Sequence, residues 1–323
     1  MKKKTKTKII LLVFILLVFA GSFFVDKKLF NSLKDTIFSE IKSGVNTLKK
    51  EINKNETVES TKENNIILDK DFMVLFIDVG QADSILIKSQ DEYMLIDAGN
   101  NADGPKLVNF FNELSIKEFK YVFGTHAHED HIGGMDNIIK NFKVKNFYMP
   151  NATTTTQTFL EILEQLEKKK IAFKTPNIGT KLKLGESNIE IIYVGENEED
   201  LNDTSIIIKV TYKNTSFLFT GDTTSNVEKE ILDKEIESDV LKVAHHGSKY
   251  SSSASFLNKV KPKYAIISCG KNNDYGHPHD VILKKLKKLK TNIYRTDKLG
   301  TIIVISDGKN ITIKNAKTDT NGE

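Results

Sequence analysis

The chain has little cysteine and no tryptophan: one Cys and no Trp occur among its 323 residues. A single Cys excludes an internal disulfide framework, a Cys-based zinc finger and an iron–sulfur cluster held by cysteines. With only 5 Pro and 18 Gly, the sequence is neither collagen-like nor proline-rich. The formal charge of +4, from 47 Lys and Arg against 43 Asp and Glu, does not by itself indicate nucleic-acid binding. Metal chemistry, if present, must therefore rest on the 7 His and the carboxylates.

One long apolar run lies near the N-terminus, where residues 9–25 follow five lysines. Its 17 residues are at the lower limit for crossing a bilayer core of ~30 Å, and the lysines predict that this end stays in the cytoplasm. Two interpretations are open: an uncleaved signal-anchor, or a secretory signal cleaved after Ala20. Either one carries the rest of the chain out of the cytoplasm, on the cell membrane or as a secreted protein.

Residues 26–70 differ from the rest of the chain in composition. Apolar residues recur at steps of three and four from Leu29 to Ile52, which predicts an amphipathic helix, and a polar linker follows it. We interpret this segment as a helical stalk with a flexible linker, in preference to a helix that binds a partner. The predicted organisation is then residues 1–25 as signal-anchor or signal peptide, 26–70 as stalk and linker, 71–316 as one globular domain and 317–323 as a polar tail.

The globular part alternates short apolar strands with helices, and it reads as an α/β domain in which two β-rich layers are covered by helices. Strands are predicted at 72–79, 84–87, 93–96, 121–125, 145–149, 188–194, 205–212, 216–220, 240–244, 263–268, 302–305 and 310–314. Helices are predicted at 104–114, 132–141, 156–170, 224–234, 252–260 and 279–289.

All seven histidines fall in three loops, and the densest group lies between Gly124 and Gly134. His126 and His128 are two residues apart in a strand-to-helix turn, so both rings can share one metal ion. Asp130 and His131 are shifted along the turn and point to a second ion position. An exposed polar loop is a poor alternative for four metal-binding side chains within six residues.

Further polar residues follow other apolar strands. Asp222 ends one strand, and its carboxylate can bridge two cations. His245 and His246 end another strand, and His277 lies in a loop just before a helix. Asp97 also ends a strand, either as an acceptor that holds a ligand histidine or as a simple turn cap.

These segments resemble the metallo-β-lactamase superfamily: residues 125–131 match its His-x-His-x-Asp-His signature, and Gly221-Asp222 and His245 match its later metal positions in order. The resemblance implies a four-layer αββα sandwich, here preceded by a membrane segment and a helical stalk. Several segments also resemble the extracellular hydrolase domain of the ComEC family of competence DNA-uptake proteins, which is thought to act as a nuclease on one incoming DNA strand. The segments of this second resemblance are 76–84, 241–248, 275–278, 294–297 and Gly300.

Two departures from these families concern the metal ligands. The second His of the signature is often Asp in the competence proteins, whereas this chain has His128. Most of the superfamily has another His before the position of Asp222, whereas no His occurs here from 132 to 244. A polar run at 199–205 occupies that stretch, and Asn202 or Asp203 can supply an oxygen ligand, which favours manganese or a weak site.

The leading hypothesis is an extracytoplasmic metal-dependent hydrolase, a phosphodiesterase or nuclease acting on DNA through a metal-activated hydroxide. Two divalent ions, Zn or Mn, are expected. The assigned metal ligands are His126, His128, Asp130, His131, Asp222 and His245, with Asp97, Asn202, Asp203 and His246 as further ligands or supporting residues. Asp130 and His277 are the expected catalytic residues, and Ser248, Lys249 and His277 are expected to bind substrate, with His277 either donating a hydrogen bond to phosphate or protonating the leaving group.

Two alternatives use the same residues. One is a metallohydrolase of a small ester, lactone or phosphorylated molecule, because fold and metal set do not select a substrate. The other is a catalytically weak tethered binding protein, which the missing middle His favours.

Overall fold

The computed structural model describes residues 66–151, 154–196 and 199–316, which belong to one compact unit. Its strands are β1 (Phe72–Phe76), β2 (Ile85–Ser89), β3 (Glu92–Ile96), β4 (Glu118–Phe119), β5 (Tyr121–Phe123), β6 (Lys143–Val144), β7 (Phe147–Tyr148), β8 (Phe173–Lys174), β9 (Lys181–Leu184), β10 (Ser187–Tyr193), β11 (Ile207–Tyr212), β12 (Thr215–Phe219), β13 (Val240–Lys242), β14 (Tyr264–Ile267), β15 (Asn292–Arg295), β16 (Ile302–Ser306) and β17 (Ile311–Asn315). Its helices are α1 (Gly104–Glu113), α2 (Glu129–Ile132), α3 (Met135–Asn141), α4 (Gln157–Lys169), α5 (Ser225–Glu230), α6 (Ala254–Val260), α7 (Asp280–Lys288) and α8 (Thr296–Leu299). Short 3-10 turns occur at Asn101–Asp103, Leu201–Thr204 and Ala244–Gly247.

Two large sheets organise these strands. The first has eight strands in the order β17-β16-β1-β2-β3-β5-β7-β8, and the second has seven in the order β15-β14-β13-β12-β11-β10-β9. Each sheet is antiparallel on one side and parallel on the other: the parallel strands are β3, β5, β7 and β8 in the first sheet and β12 to β15 in the second. The carboxyl ends of parallel strands meet at one edge of a sheet, where α/β proteins usually place ligands.

The two sheets face each other across a shared hydrophobic core. Phe72 on β1 stacks on Tyr212 of β11 with ring centroids 4.7 Å apart, and Phe76 on β1 packs on Phe219 of β12. All five residues of β1 are buried, because helices and the second sheet cover both of its faces. A fully buried aromatic or large aliphatic side chain contributes about 1.5–3 kcal/mol relative to exposure, so this interface is a major part of the folding free energy.

Helices cover the outer face of each sheet. On the eight-stranded sheet, Phe111 of α1, Ile138 of α3 and Ile162 of α4 join one core cluster. On the seven-stranded sheet, Phe256 of α6 and Leu286 of α7 join another. The layers are therefore helix, sheet, sheet and helix, as the sequence predicts for residues 71–316.

The structure differs from the predicted elements in two respects. The helix predicted at 132–141 is two helices, α2 and α3, separated at Gly133 and Gly134. A side chain at Gly133 would clash with the Asn101 backbone, and one at Gly134 with the Ala98 carbonyl, so the close packing here requires glycine. The strands β4, β6, β8, β9 and β15 and the helix α8 were not predicted; β8 and β9 are sheet-edge strands with largely exposed residues, and their apolar signal is weak.

The predicted membrane segment at residues 9–25, nearly all of the stalk and the tail at 317–323 lie outside the described residues. Within 66–151, 154–196 and 199–316, no helix is both long and apolar enough to cross a membrane.

Candidate metal centre

The first part of the centre is the turn that follows β5. Asp97, which follows the neighbouring parallel strand β3, accepts hydrogen bonds from the Thr125 backbone N and Oγ1, each at 2.8 Å. This carboxylate therefore fixes the start of the turn that carries His126 and His128. His126 Nε2 lies 3.0 Å from His128 Nδ1, so the structure brings these two ring nitrogens together.

His131 lies on α2, beside this pair, with its ring centroid 4.1 Å from that of His126. Its Nδ1 is 2.8 Å from Asp97 Oδ2, and its Nε2 is 3.2 Å from Asp222 Oδ2, which comes from the end of β12 in the other sheet. The two sheets thus contribute to one site. Of the two interpretations of Asp97, the geometry favours the acceptor that orients a histidine.

Four ligand-type side chains lie within metal-binding reach of one another: one atom from each of Asp130, His131, Asp222 and His246, all within 4.8 Å. His246 Nε2 is 3.3 Å from Asp130 Oδ2 and 3.4 Å from Asp222 Oδ2, and its Nδ1 is held 2.9 Å from the Ser268 carbonyl. His131 Nε2 is fully buried and forms no hydrogen bond within the described part of the chain. A buried nitrogen of this kind, facing two carboxylates, fits a divalent cation that a histidine and acids would share.

His245 and His246 are adjacent in the sequence but lie in different environments. The sequence assigns His245 as the ligand, but His246 joins the four-residue cluster, while His245 Nε2 is 3.9 Å from Asp222 Oδ2 at its edge. Both residues have left-handed backbone angles, with φ of 51° and 53°, in the turn that follows β13. Such angles are costly for residues other than glycine and are typical of functional sites. The geometry therefore favours His246 as the ligand, with His245 beside it.

Burial and the surrounding charges shift the pKa values of His131 and Asp222 in opposite directions. Burial opposes the charged form of His131, but Asp222, Asp97 and Asp130 together hold the pKa of His131 well above its usual range. Burial also opposes the charged form of Asp222, and the charges of His131 and His246 nevertheless hold the pKa of Asp222 well below its usual range. His126 differs: burial, reinforced by the charge of His131, holds the pKa of His126 well below its usual range. His126 is thus neutral, which is the state in which imidazole binds a metal.

The polar run at 199–205 reaches the centre in place of the missing histidine, although the expected carboxylate does not. Both oxygens of Asp203 accept hydrogen bonds from Thr224, so this side chain caps the loop before α5. Ser205 instead lies against the centre, and its Oγ accepts a hydrogen bond from the Asp222 backbone N. Asn202 Oδ1 is buried and forms no hydrogen bond within the part of the chain that the structure describes.

The predicted substrate-binding residues lie in two loops that pack together at the mouth of the centre. A side chain at Gly247, where φ is +83°, would clash with Pro278, so the loop after β13 lies directly against the His277 loop. The His277 ring is 5.6 Å from that of His245. Ser248 is buried, whereas Lys249 is exposed.

His277 has a defined tautomer. Gln81 Oε1 accepts a hydrogen bond from the Gly270 backbone N, so Gln81 Nε2 donates to His277 Nδ1 at 3.3 Å. The free proton of the ring is then on Nε2. Burial, followed by the charges of His246, His245 and His279, lowers the pKa of His277 to about 4. Of the two roles predicted for His277, this favours a neutral hydrogen-bond donor over an acid that protonates the leaving group.

Sequence reasoning missed two charged residues beneath the centre, Asp83 and Lys242. Lys242 ends the buried strand β13, and its ammonium pairs with Asp83 Oδ2 and lies 3.6 Å from Asp222 Oδ1. The available signal was a lysine inside the apolar run Val240–Ala244.

Comparison with known proteins agrees with this geometry. The family model described as the metallo-beta-lactamase superfamily matches residues 77–271. Among curated proteins, the chain is 31% identical over 247 residues to "ComE operon protein 3" of Bacillus subtilis, covering 70% of this chain and 32% of that protein. It is 26% identical over 241 residues to "Competence protein ComA" of Neisseria gonorrhoeae, covering 70% of this chain and 31% of that protein. The matched region thus spans about a third of the length of these relatives.

Among solved structures, CmlA, a diiron beta-hydroxylase from Streptomyces venezuelae, is similar in fold. The TM-score is 0.50 at 12% identity, with 70% of this chain and 53% of that chain covered. At this identity the likeness concerns the fold alone. The family match covers more than half of the sequence and includes His126, Asp222 and His246. The chain belongs to the metallo-β-lactamase superfamily.

Proposed function

We propose that this chain is a metal-dependent phosphodiesterase that cleaves DNA outside the cytoplasm. The observation that carries the proposal is the convergence of Asp130, His131, Asp222 and His246 beside the paired nitrogens of His126 and His128. Six ligand-type side chains, four histidines and two aspartates, fit two divalent ions, and superfamily membership makes metal-dependent hydrolysis the expected chemistry.

The residues divide into two ligand groups. His126 Nε2 and His128 Nδ1 would hold one ion, and Asp130, His131 and His246 the other, with Asp222 between them. When bound, such ions would activate a water molecule for attack and neutralise charge on the oxygens of a phosphodiester. Asp97 orients His131 through Nδ1, so Nε2 faces the ion position and would bind the ion once it has released its proton. Zinc and manganese both fit this mixed set of nitrogen and oxygen ligands.

The mouth of the centre suits an anionic substrate. His277, neutral and with its proton on Nε2, would donate a hydrogen bond to a phosphate oxygen. Lys249 is exposed in the adjacent loop and would attract the phosphate backbone. Ser248 is buried and would contribute only where the loop approaches the substrate closely.

A nucleic acid is favoured over a small ester because of two exposed tyrosines in the same two loops. Tyr250 and Tyr275 are 63% and 68% exposed, and they are the only aromatic side chains among the large exposed hydrophobic residues of the described chain. Tyr275 stacks on His277 with centroids 5.6 Å apart and planes at 20°. Exposed aromatic rings near a basic side chain such as Lys249 are typical of proteins that stack unpaired bases. One relative, named as a competence protein, supports the same proposal.

The test uses the purified full-length chain, loaded with Mn²⁺ or Zn²⁺ and analysed for bound metal. Labelled single-stranded and double-stranded DNA, bis(p-nitrophenyl) phosphate, a chromogenic ester and a lactone are offered in parallel. We expect DNA and the phosphodiester to be cleaved, and we expect Asp222→Asn to lose both activities together with bound metal. Turnover of the ester or lactone alone would replace the proposal with a small-molecule hydrolase. Bound metal without any turnover would favour a tethered binding protein.

The location rests on residues 9–25, an apolar run behind five lysines. We propose that this run anchors the chain in the cell membrane or exports it. Protease added to intact cells is expected to remove the globular domain of an anchored chain, and a chain protected until the cells are lysed would contradict this location.

A further inference from the structure

Lys242 is an unusual residue for its position. It ends β13, a strand in the middle of the parallel half of the seven-stranded sheet, and its side chain is 1% exposed. Its strand neighbours Val240 and Leu241 belong to the core, and an apolar side chain of similar length would fit the same place. Burying an ammonium group carries a large desolvation cost. The contacts of this group therefore need an explanation beyond packing.

Those contacts lead directly to the metal centre. The ammonium pairs with Asp83 Oδ2, donates to the Gly221 carbonyl at 3.2 Å and lies 3.6 Å from Asp222 Oδ1. The partner Asp83 in turn lies near two predicted metal ligands: its Oδ1 is 3.7 Å from His246 Nδ1 and its Oδ2 is 3.8 Å from His131 Nδ1. The Lys242–Asp83 ion pair therefore lies next to the predicted metal ligands without being one of them.

The negative charge of the centre makes this ion pair important. Four carboxylates lie in the two adjoining clusters, namely Asp83, Asp97, Asp130 and Asp222. A single ammonium among them cancels one of four negative charges. Charges a few ångströms apart in a buried site interact strongly, so one unit of charge changes the affinity of such a cluster for a divalent cation substantially.

We propose that Lys242 is a built-in cation of the metal centre, which limits how tightly the acid cluster holds divalent ions. This inference rests on the proposed metal-dependent function. Lys242 does not touch substrate in this scheme; it acts through Asp222 and Asp83 and is a positioning and charge-setting residue. Its role is distinct from that of an ion pair that only stabilises the fold.

The two roles predict different outcomes when the pair is broken from each side. Lys242→Met removes a positive charge, and Asp83→Asn removes a negative charge, yet both break the same contact. If the pair is only structural, both variants bind metal more weakly. If Lys242 sets the charge, Lys242→Met binds metal more tightly and Asp83→Asn more weakly, each by about tenfold or more at an effective dielectric constant near 20.

The experiment measures Mn²⁺ affinity of the full-length chain by electron paramagnetic resonance of the free ion, at pH 8. The double variant Lys242→Met/Asp83→Asn restores the charge of the wild type and is expected to bind within about threefold of it. A control breaks the ion pair between Lys263 and Asp239, which are 2.8 Å apart just before β14 and β13, at the opposite ends of these strands from the centre. Lys263→Met and Asp239→Asn are expected to leave the affinity unchanged. Thermal unfolding without metal reports whether each variant folds, and Lys242→Gln, which keeps an N–H donor for Asp83, replaces Lys242→Met if that variant does not fold.

Shifts in the same direction for Lys242→Met and Asp83→Asn, or no shift for either, would overturn the inference even if DNA is cleaved. If the Mn²⁺ affinities of Lys242→Met and Asp83→Asn shift in opposite directions as expected but the chain cleaves no DNA, the inference about Lys242 is supported and only the proposed substrate is wrong. If the wild-type chain binds no Mn²⁺, the same comparison is made with Zn²⁺ by chelator competition, and a chain that binds neither ion would overturn both proposals.

Discussion

Asp97 Oδ2 lies 2.8 Å from His131 Nδ1, and the same carboxylate holds the backbone and hydroxyl of Thr125. One buried acid therefore orients a ligand histidine and anchors the turn that carries His126 and His128. The Asp97–Thr125 contact joins the ends of two neighbouring parallel strands, β3 and β5. The Asp97–His131 contact occupies Nδ1 of that ring, so Nε2 faces Asp222.

The first prediction is that Asp97→Asn lowers metal affinity by about 10–100-fold, because residues that orient a metal ligand typically have effects of this size. Asp203→Asn is the matched control, since Asp203 holds Thr224 through the same pair of hydrogen bonds but contacts no ligand histidine. Chelator competition with Zn²⁺ measures both variants. Equal losses of affinity would mean that Asp97 contributes only by stabilising a loop.

Local residue spacing was sufficient to predict the His126–His131 turn. Four ligand-type side chains in six residues can converge through one turn, and strand-end position added Asp222. The sequence could not separate His245 from His246, since the left-handed angles of both residues determine which ring enters the cluster. Nor could it exclude Asp203, because its hydrogen bonds are to Thr224, 21 residues away.

The ion pair beneath the centre was unpredictable for a related reason. Asp83 and Lys242 are far apart in the sequence, one in the loop before β2 and the other at the end of β13. Each has an ordinary local alternative: a turn residue for Asp83 and a strand lysine for Lys242. Only the pairing of β12 with β13, and the position of β13 in the sheet, show that Lys242 is enclosed rather than at an edge. Short edge strands such as β9 were not predicted for the opposite reason: their side chains are largely exposed, so their apolar signal in the sequence is weak.

A second prediction separates the adjacent histidines. His246→Ala is expected to lose one of two bound ions, because His246 Nε2 faces Asp130 and Asp222 while its Nδ1 is held by a carbonyl. His245→Ala is expected to keep both ions and to change mainly the kinetic constants. Elemental analysis of the two purified variants measures the ion count. If His245→Ala alone loses an ion, the original assignment of His245 is correct.

The third prediction concerns pH. Because burial and neighbouring histidine charges lower the pKa of His277 to about 4, this ring is neutral throughout the range 5.5–8.5. The ratio of the wild-type rate to that of His277→Ala should therefore be constant over this range, since a neutral donor works equally well at each pH. An imidazolium acid with an ordinary pKa near 6.5 would instead lose its advantage about tenfold per pH unit above that value. Taking the ratio removes the pH dependence of the metal centre, which both enzymes share, and a ratio that falls with pH would restore His277 as the acid.

The fourth prediction tests the exposed ring of Tyr275. Stacking of one base on an aromatic side chain is worth about 1–3 kcal/mol, so Tyr275→Ala should raise KM for a single-stranded oligonucleotide by about 5–150-fold. Bis(p-nitrophenyl) phosphate reaches the centre without nucleobases, so its KM should change little, and Tyr275→Phe should resemble the wild type on both substrates. A 2-aminopurine base in the oligonucleotide, bound to the inactive Asp222→Asn variant, reports stacking directly through fluorescence quenching. Equal losses on both substrates would show that Tyr275 acts only by holding the His277 ring, with which it stacks.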